Sequence, residues 1–339
     1  MKKNIIFILF TFGTLLLMIG FMVLYLKNSL QQQKPEITPI AYWDVRSIDT
    51  MKYSRDLARE KLNDPSFDAV IDKQMKDIAE IGANYVAIGT PYDDEFSPLM
   101  RRWVKAARKY KLHVWFRGNF SGWEEWFYYP KIDSAEHVIK TEQFIWNNSD
   151  IFQDGDIFTS CPECENGTEL QSKNFKNLIQ YRSFLILEMN TAQKAFSQIG
   201  REVKTGYYSM NGDVARVVMD RATTKALGGI VVIDHYVDTP SRLAEDIRIL
   251  AAKSGGRILL GEFGAPIPDI HGEMSEEQQA IWIKSALLQI SVIPELIGIN
   301  YWVNKGGSTA LWNDDNMPKA AITVIKEYYN KMVFKDSKT

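Results

Sequence analysis

Short apolar runs alternate with amphipathic stretches of helical period along most of the chain, and this alternation restricts the fold more than any other feature. Eight runs have the length of β-strands: 40–43, 85–88, 113–116, 157–159, 204–208, 229–233, 258–261 and 297–301. Eight helical patterns lie between and after them: 67–81, 97–110, 134–146, 174–196, 213–227, 241–252, 275–292 and 318–332. Such alternation is typical of parallel βα units.

Eight strand–helix pairs within residues 40–335 predict an α/β fold, a single (β/α)8 TIM barrel. A doubly wound open sheet is the alternative. That fold more often carries a glycine-rich phosphate loop after an early strand, and the sequence contains neither G-x-G-x-x-G nor the P-loop pattern. The barrel is therefore favoured, and no cofactor is predicted.

The residues that follow the predicted strands include two prominent carboxylates. Glu163 comes after the fourth strand and Glu262 after the seventh. In a closed eight-stranded barrel these strand ends face each other across the mouth, where barrel enzymes carry their chemistry. Two facing carboxyl groups are what glycoside hydrolysis requires, because one protonates the leaving oxygen while the other attacks or activates water. Both residues are predicted to be catalytic.

Aromatic and polar residues near the same strand ends are suited to holding a sugar. Trp and Tyr rings stack on the apolar faces of sugar rings, and Asn, Arg and His side chains bind hydroxyl groups. The predicted substrate-binding residues are Trp43, Arg46, Arg117, Asn119, Trp123, Glu165, Asn166, Tyr208, His235, Tyr236 and Trp302.

Residues 259–264, with the sequence LLGEFG, resemble the strand-seven nucleophile segment of clan A glycoside hydrolases, notably the cellulase and mannanase group. His235 with Tyr236, and Trp302, are similar to sugar-contacting residues of that clan. The resemblance implies a retaining mechanism, with Glu262 as nucleophile and a strand-four glutamate as acid/base. The two carboxyl groups of a retaining pair lie about 5–5.5 Å apart.

The fourth strand end departs from the clan pattern. The acid/base glutamate of the clan follows an asparagine, whereas Pro162 precedes Glu163 in this chain and Asn166 follows Glu165. Either glutamate therefore remains a candidate acid. Glu163 is preferred because it stands directly at the strand end.

The N-terminal segment has the composition of a membrane anchor. Residues 5–26 carry no charge and follow Lys2 and Lys3. As a helix they would reach about 33 Å, enough to cross a bilayer core of about 30 Å. A cleavable signal peptide is the rival interpretation, but its apolar region is usually shorter and ends in small residues. The sequence predicts a cytoplasmic tip and signal anchor (1–27), a stalk (28–39) and an extracytoplasmic domain (40–335) at the cell membrane.

Charge and cysteine content limit the other possibilities. Lys and Arg total 40 against 42 Asp and Glu, for a net charge of −2, which argues against a nucleic-acid partner. Cys161 and Cys164 have C-x-x-C spacing and are interpreted as a disulfide that braces Glu163, with a redox pair as the alternative. No metal site is predicted, since zinc would need further ligands of suitable spacing.

Together these features predict a membrane-anchored, retaining glycoside hydrolase acting on an extracytoplasmic polysaccharide such as a β-glucan or mannan. A catalytically impaired, glycan-binding barrel at the cell surface is the alternative, suggested by the missing asparagine before Glu163. A tethered thiol oxidoreductase using Cys161 and Cys164 is a third hypothesis.

Overall fold

The computed structural model describes residues 42–167 and 177–332. The predicted anchor at 5–26 and the predicted stalk at 28–39 lie outside these residues. None of the helices within the described ranges is both long enough and apolar enough to span a bilayer.

Eight parallel strands form one sheet with the order β4-β3-β2-β1-β8-β7-β6-β5. The strands are β1 (Val45–Asp49), β2 (Tyr85–Ile88), β3 (His113–Phe116), β4 (Ile157–Phe158), β5 (Ser209–Asn211), β6 (Ile230–Asp234), β7 (Arg257–Phe263) and β8 (Leu296–Tyr301). This strand order and the helices between the strands confirm the predicted (β/α)8 barrel.

Helices connect the strands throughout the described residues. They are α1 (Met51–Ser54), α2 (Ala58–Lys61), α3 (Phe67–Glu80), α4 (Ser97–Lys109), α5 (Ser121–Glu124), α6 (Ser134–Asn147), α7 (Leu178–Gln198), α8 (Gly212–Val218), α9 (Arg221–Ala226), α10 (Pro240–Ser254), α11 (Pro268–His271), α12 (Glu276–Ile290) and α13 (Ala321–Lys331). Local capping explains several boundaries. Ser275 and Gln278 form a capping box that starts α12.

The barrel closes at a seam between β4 and β5, which we call the β4–β5 seam. Ile157 forms a single parallel bridge with Lys204, and the Phe158 N–H donates to the Lys204 carbonyl at 2.9 Å. Further up, the Glu163 N–H donates to the Ser209 carbonyl, also at 2.9 Å. The two ends of the sheet are therefore joined mainly by residues outside the regular strands.

Two apolar clusters hold the fold together. The larger one lies between the strands and the surrounding helices, and the smaller one fills the barrel with inward-facing strand residues such as Val45, Trp115 and Leu259. Packing on both faces of the strands explains why short, largely apolar runs mark them in the sequence.

Three predicted elements are corrected by the structure. The first strand is at Val45–Asp49 rather than 40–43, and the fifth is at Ser209–Asn211 rather than 204–208. Both true strands carry polar residues that face the barrel interior, so neither is an uninterrupted apolar run. The predicted helix at 213–227 is divided into α8 and α9, because the Asp220 side chain caps α9 by accepting from the Thr223 N–H.

Candidate active site

At the mouth of the barrel, the inward-facing positions of the strands carry polar side chains. Side chains alternate between the two faces of a strand. On β1, Asp49 therefore faces the barrel interior as Val45 does, and Arg117, directly after β3, faces the interior as Trp115 does. The layer also contains Ser209, Asp234 and Asn300. These polar residues are nearly fully buried. The apolar interior thus ends in a polar layer at the carboxyl ends of the strands, where barrel enzymes carry their chemistry.

Arg117 is the cation at the centre of this layer, and its side chain is only 1% exposed. One terminal nitrogen (Nη1) donates to Asp49 at 2.8 Å and to Glu262 at 3.3 Å. The other (Nη2) donates to Asp234 and to the Ser209 hydroxyl, both at 3.0 Å. Burial acts to lower the pKa of Arg117, but the three surrounding carboxylates outweigh it and raise that pKa above its usual value. One guanidinium therefore holds three carboxyl groups together.

Glu262 is the carboxyl that this arrangement presents to the mouth. Besides Arg117, it accepts a hydrogen bond from the Tyr236 hydroxyl at 2.9 Å. Burial raises the pKa of Glu262 to about 7, assisted by the charges of Glu163 and Asp49 and opposed by Arg117 and Tyr236. Two donors thus hold Glu262 in one orientation and favour its ionised form.

Residue 261, next to Glu262, must be glycine because the Asp234 carboxyl packs directly against its backbone. A Cβ at this position would lie 2.4 Å from an Asp234 carboxyl oxygen and 2.8 Å from a Val232 methyl carbon. We expect Gly261→Ala to lower the free energy of unfolding by about 1–3 kcal/mol through overpacking, measured by denaturant unfolding. Gly89→Ala is the control, because a Cβ there meets its nearest atom at 3.4 Å. Equal stabilities of the two variants would contradict this account.

Glu163 stands at the tip of the loop after β4, with its backbone in the left-handed region at φ 47°. Its Oε2 accepts from Asn166 Nδ2 at 3.1 Å, and Cys161 and Cys164 on either side form a disulfide, as the bracing interpretation expects. Burial, followed by the charge of Glu165, raises the pKa of Glu163. The charge of Glu163 in turn raises the pKa of Glu262, so the two carboxyls act on each other electrostatically.

Glu165, the other candidate acid, is held by the surrounding protein. Its Oε1 accepts from the Asn211 backbone N–H at 2.9 Å, and its Oε2 accepts from the Tyr181 hydroxyl at 3.2 Å. The side chain is buried, and this burial raises its pKa. Glu165 therefore ties the β4 loop to β5 and α7, whereas among the described residues the Glu163 side chain is hydrogen-bonded by Asn166 alone.

Aromatic and basic residues border the carboxyls. Tyr236 and Trp302 meet edge to face with ring centroids 6.2 Å apart, and a cleft of about 460 Å³ extends from Tyr236 past His235. His235 Nε2 lies 2.9 Å from an Asp246 carboxylate oxygen. Burial lowers the pKa of His235, against the opposing effect of Asp246.

Five predicted substrate-binding residues are not exposed at this mouth. Trp43 and Arg46 were expected after the first strand, but that strand was misplaced. The Arg46 side chain bonds the carbonyls of Trp43 and Gly82 at the opposite end of the barrel. Trp123 is fully buried against Phe184, and Tyr208 belongs to the cluster between strands and helices. Asn119 is also buried and contacts Glu124 rather than the open mouth.

Several residues of the site were missed in the sequence analysis. They are Asp49, Glu124, Ser209, Asp234 and Asn300. Ser209 and Asp234 directly follow the predicted fifth and sixth strands, so extending those strands by one residue would have identified them. Asp49 lies on the first strand, which was misplaced, and Asn300 lies within the predicted eighth strand. Within the described parts of the chain, no group of His, Cys, Asp or Glu side chains is arranged to hold a metal ion.

No family model and no curated protein matches the chain. Among solved structures, it is similar to GH5_18 from Streptomyces cattleya in complex with GlcNAc, with a TM-score of 0.63 and 14% identity over 88% of this chain and 82% of that one. It is also similar to β-glycosidase BGL167, with a TM-score of 0.57 and 10% identity over 88% and 98% of the two chains.

Bacteroides uniformis β-glucuronidase 2 is a third similar structure, with a TM-score of 0.57 and 13% identity over 85% of this chain. The chain spans only 35% of the length of that glucuronidase. At such identities the likeness shows the fold alone, a (β/α)8 barrel that this chain has in common with these glycosidases.

Proposed function

We propose that the chain is a retaining glycoside hydrolase, with Glu262 as nucleophile and Glu163 as acid/base. The observation that carries the proposal is the pair of carboxyls at the mouth, one after β4 and one on β7, where the charge of Glu163 raises the pKa of Glu262. The clan A fold of the similar structures supports the same reaction class.

In the first step, the Glu262 carboxylate attacks the anomeric carbon while Glu163 gives its proton to the departing glycosidic oxygen. The products are a glycosyl ester on Glu262 and the released alcohol. Arg117 and the Tyr236 hydroxyl prepare this step, because both donate to the carboxylate that attacks.

In the second step, Glu163 removes a proton from water, and the resulting oxygen attacks the anomeric carbon and releases Glu262. The cycle therefore needs Glu262 ionised and Glu163 protonated at its start. Activity is expected to fall on both sides of a pH optimum, because acid neutralises the nucleophile and base removes the proton of the acid.

Glu163→Gln is expected to lower kcat/KM by about 10²–10⁴-fold on substrates with poor leaving groups. The loss should be much smaller for activated aryl glycosides, whose leaving groups need little protonation. Steady-state kinetics across a series of leaving groups measures both effects. Glu165→Gln is the matched control and should show no such dependence on the leaving group. A dependence in Glu165→Gln alone would reverse the assignment of the acid.

The proposed substrate is an extracytoplasmic polysaccharide of the β-glucan or mannan class, bound along the mouth by Tyr236, Trp302 and His235. The cleft of about 460 Å³ that begins at Tyr236, whose hydroxyl bonds Glu262, offers room for further sugar units beside the carboxyls. Anchoring of the domain through residues 5–26 is part of the proposal and rests on the uncharged apolar run in the sequence.

A screen of the full-length chain against aryl glycosides, β-glucans, mannans and cell-wall glycans tests the proposal. We expect turnover of at least one class, with the first-formed anomer, followed by NMR, retaining the configuration of the substrate. An inverted product would rule out the assigned mechanism. Binding without turnover would favour the alternative of a glycan-binding barrel, which the proline before Glu163 suggests.

A further inference from the structure

The loop after β3 that carries Trp126 is held in a strained conformation. Three of its residues other than glycine have a left-handed backbone: Glu125 at φ 58°, Phe127 at φ 54° and Tyr128 at φ 61°. Such conformations are unfavourable for these residue types and persist only where the surrounding structure fixes them. Contacts to the rest of the chain must therefore hold this loop in place.

Arg59 on α2 supplies those contacts. Its Nε and Nη2 donate to the two carboxylate oxygens of Glu95 at 2.8 and 2.7 Å, and its Nη1 donates to the Phe127 carbonyl at 2.7 Å. The Tyr129 hydroxyl donates to the same Glu95 at 2.8 Å. All three nitrogens of this guanidinium are used within the protein, so the role of Arg59 is to fix the loop.

Arg55 contacts the same loop in a different way. It directly follows α1, at the carboxyl end of β1, and its guanidinium carbon lies 4.6 Å from the centroid of the half-buried Trp126 ring, within the range of a cation–π contact. Its Nε donates to Asp56 at 2.8 Å. Among the described residues its two terminal nitrogens have no hydrogen-bond acceptor, although the side chain is only 23% exposed. Unlike Arg59, it therefore retains the donors that recognise a planar carboxylate.

Lys52 on α1 is a second cation, and it connects this surface to the nucleophile. Its Nζ lies 2.9 Å from the other Asp56 oxygen and 5.8 Å from the centroid of the Trp302 ring. Trp302 meets Tyr236 edge to face, and the Tyr236 hydroxyl donates to Glu262. Since the two cations share a single carboxylate, they carry one excess positive charge beside the mouth.

The positive charge of Arg55 also extends to the candidate acid. Burial raises the pKa of Glu163, and Arg55 is one of the groups whose charge opposes this rise. Arg117 opposes it as well, but it is only 1% exposed and already binds three carboxylates of the protein. Arg55 is thus the better placed of these two arginines to bind a ligand.

We propose that Arg55 and Lys52, together with the Trp126 ring, form a subsite for a sugar unit that carries a carboxylate. The ligand carboxylate accepts from the terminal nitrogens of Arg55, and the apolar face of the sugar packs on the aromatic ring. The fixed loop keeps that ring in place before the ligand arrives. The inference rests on the proposed function and narrows its substrate to an acidic polysaccharide.

Calorimetric titration of the full-length chain tests this subsite without turnover. The probes are cellotetraose and its C6-oxidised counterpart, which has the same backbone but a carboxylate on each ring. Both are titrated into Glu262→Gln, so that neither is consumed. We expect the oxidised tetramer to bind about tenfold more tightly, with an advantage that shrinks as salt is added. Equal affinities, or no binding of the oxidised tetramer, overturn the proposal.

Two substitutions in the same background should act in opposite directions. Arg55→Met should weaken binding of the oxidised tetramer about tenfold and leave that of cellotetraose unchanged. Asp56→Asn should tighten binding of the oxidised tetramer, because it removes the carboxylate that competes for both cations. Arg257→Met is the control and should have no effect, since Arg257 begins β7 at the opposite end of the barrel.

Unchanged affinity for the oxidised tetramer in Arg55→Met, or a failure of Asp56→Asn to tighten it, overturns the proposal. The second variant keeps the guanidinium and the aromatic contact, so a folding defect of the first cannot decide the result. If the wild type cleaves no glycoside, the proposed function fails, while these titrations still decide whether the subsite binds a carboxylated sugar.

Discussion

Glu262→Gln is expected to reduce kcat/KM on any glycoside that the wild type cleaves by on the order of 10⁴-fold. The amide can still accept from Tyr236 or Arg117, so the position remains filled and hydrogen-bonded. It cannot act as the carboxylate nucleophile. Steady-state kinetics of the full-length chain on the substrate found by screening provides the measurement.

Two controls separate this loss from a general defect. Glu80→Gln changes a glutamate on α3 whose side chain is 60% exposed, and it should retain wild-type kinetics. A mechanism-based covalent inhibitor should label Glu262 in the wild type and leave Glu262→Gln unmodified, as read by peptide mass spectrometry. Full activity of Glu262→Gln would falsify the proposed mechanism.

Arg117→Met is expected to be the most destabilising single substitution in the site, lowering the free energy of unfolding by about 3–5 kcal/mol. The side chain has similar length, but Asp49, Asp234 and Glu262 lose their shared counter-charge within a buried layer. Denaturant unfolding at pH 7 measures the effect. Arg257→Met is the control, since this arginine is 56% exposed and its ion pair with Asp44 should contribute about 1 kcal/mol or less.

The penalty of Arg117→Met should depend on pH with a definite sign. Burial already raises the pKa of Glu262 to about 7 and that of Asp234 well above its usual value, and loss of Arg117 raises both further. A carboxyl whose pKa is higher in the folded chain stabilises the fold below its unfolded pKa, and this contribution is lost as pH rises through the folded value. The penalty should therefore be smaller near pH 4, the ordinary carboxyl pKa, than above about pH 7. Equal penalties at both extremes would contradict the charge-based explanation.

Much of the barrel was predictable from the sequence because its strands pack on both faces. Strands β2 and β3 coincide with their predicted ranges, since all four residues of β2 are buried and so are the last three residues of β3. Strand β1 was not found, because Arg46, Ser47 and Asp49 interrupt its apolar pattern. Polar residues that face a barrel interior form hydrogen bonds and ion pairs with one another only in the folded chain. Because these partners are distant in sequence, no local sequence pattern predicts them.

The candidate site was predictable to a similar degree. Glu163 and Glu262 were identified from their positions after strands, which depend only on the alternation of elements. The linking role of Arg117 and the support of Glu124 by Asn119 could not be derived in this way. Both depend on side chains from loops and strands distant in sequence, whose proximity is created by barrel closure.

The β4–β5 seam couples two properties of the fold. It keeps the edges of the sheet paired, and it holds the candidate acid in place. If the seam opens, β4 and β5 become edge strands, with unpaired backbone groups that can pair with another chain. The same opening breaks the bond from the Glu163 N–H to the Ser209 carbonyl and separates this glutamate from β5. A single local opening would thus disrupt the candidate active site and expose the chain to aggregation. Hydrogen exchange at the backbone amides of Phe158 and Glu163 would measure the free energy of opening the β4–β5 seam.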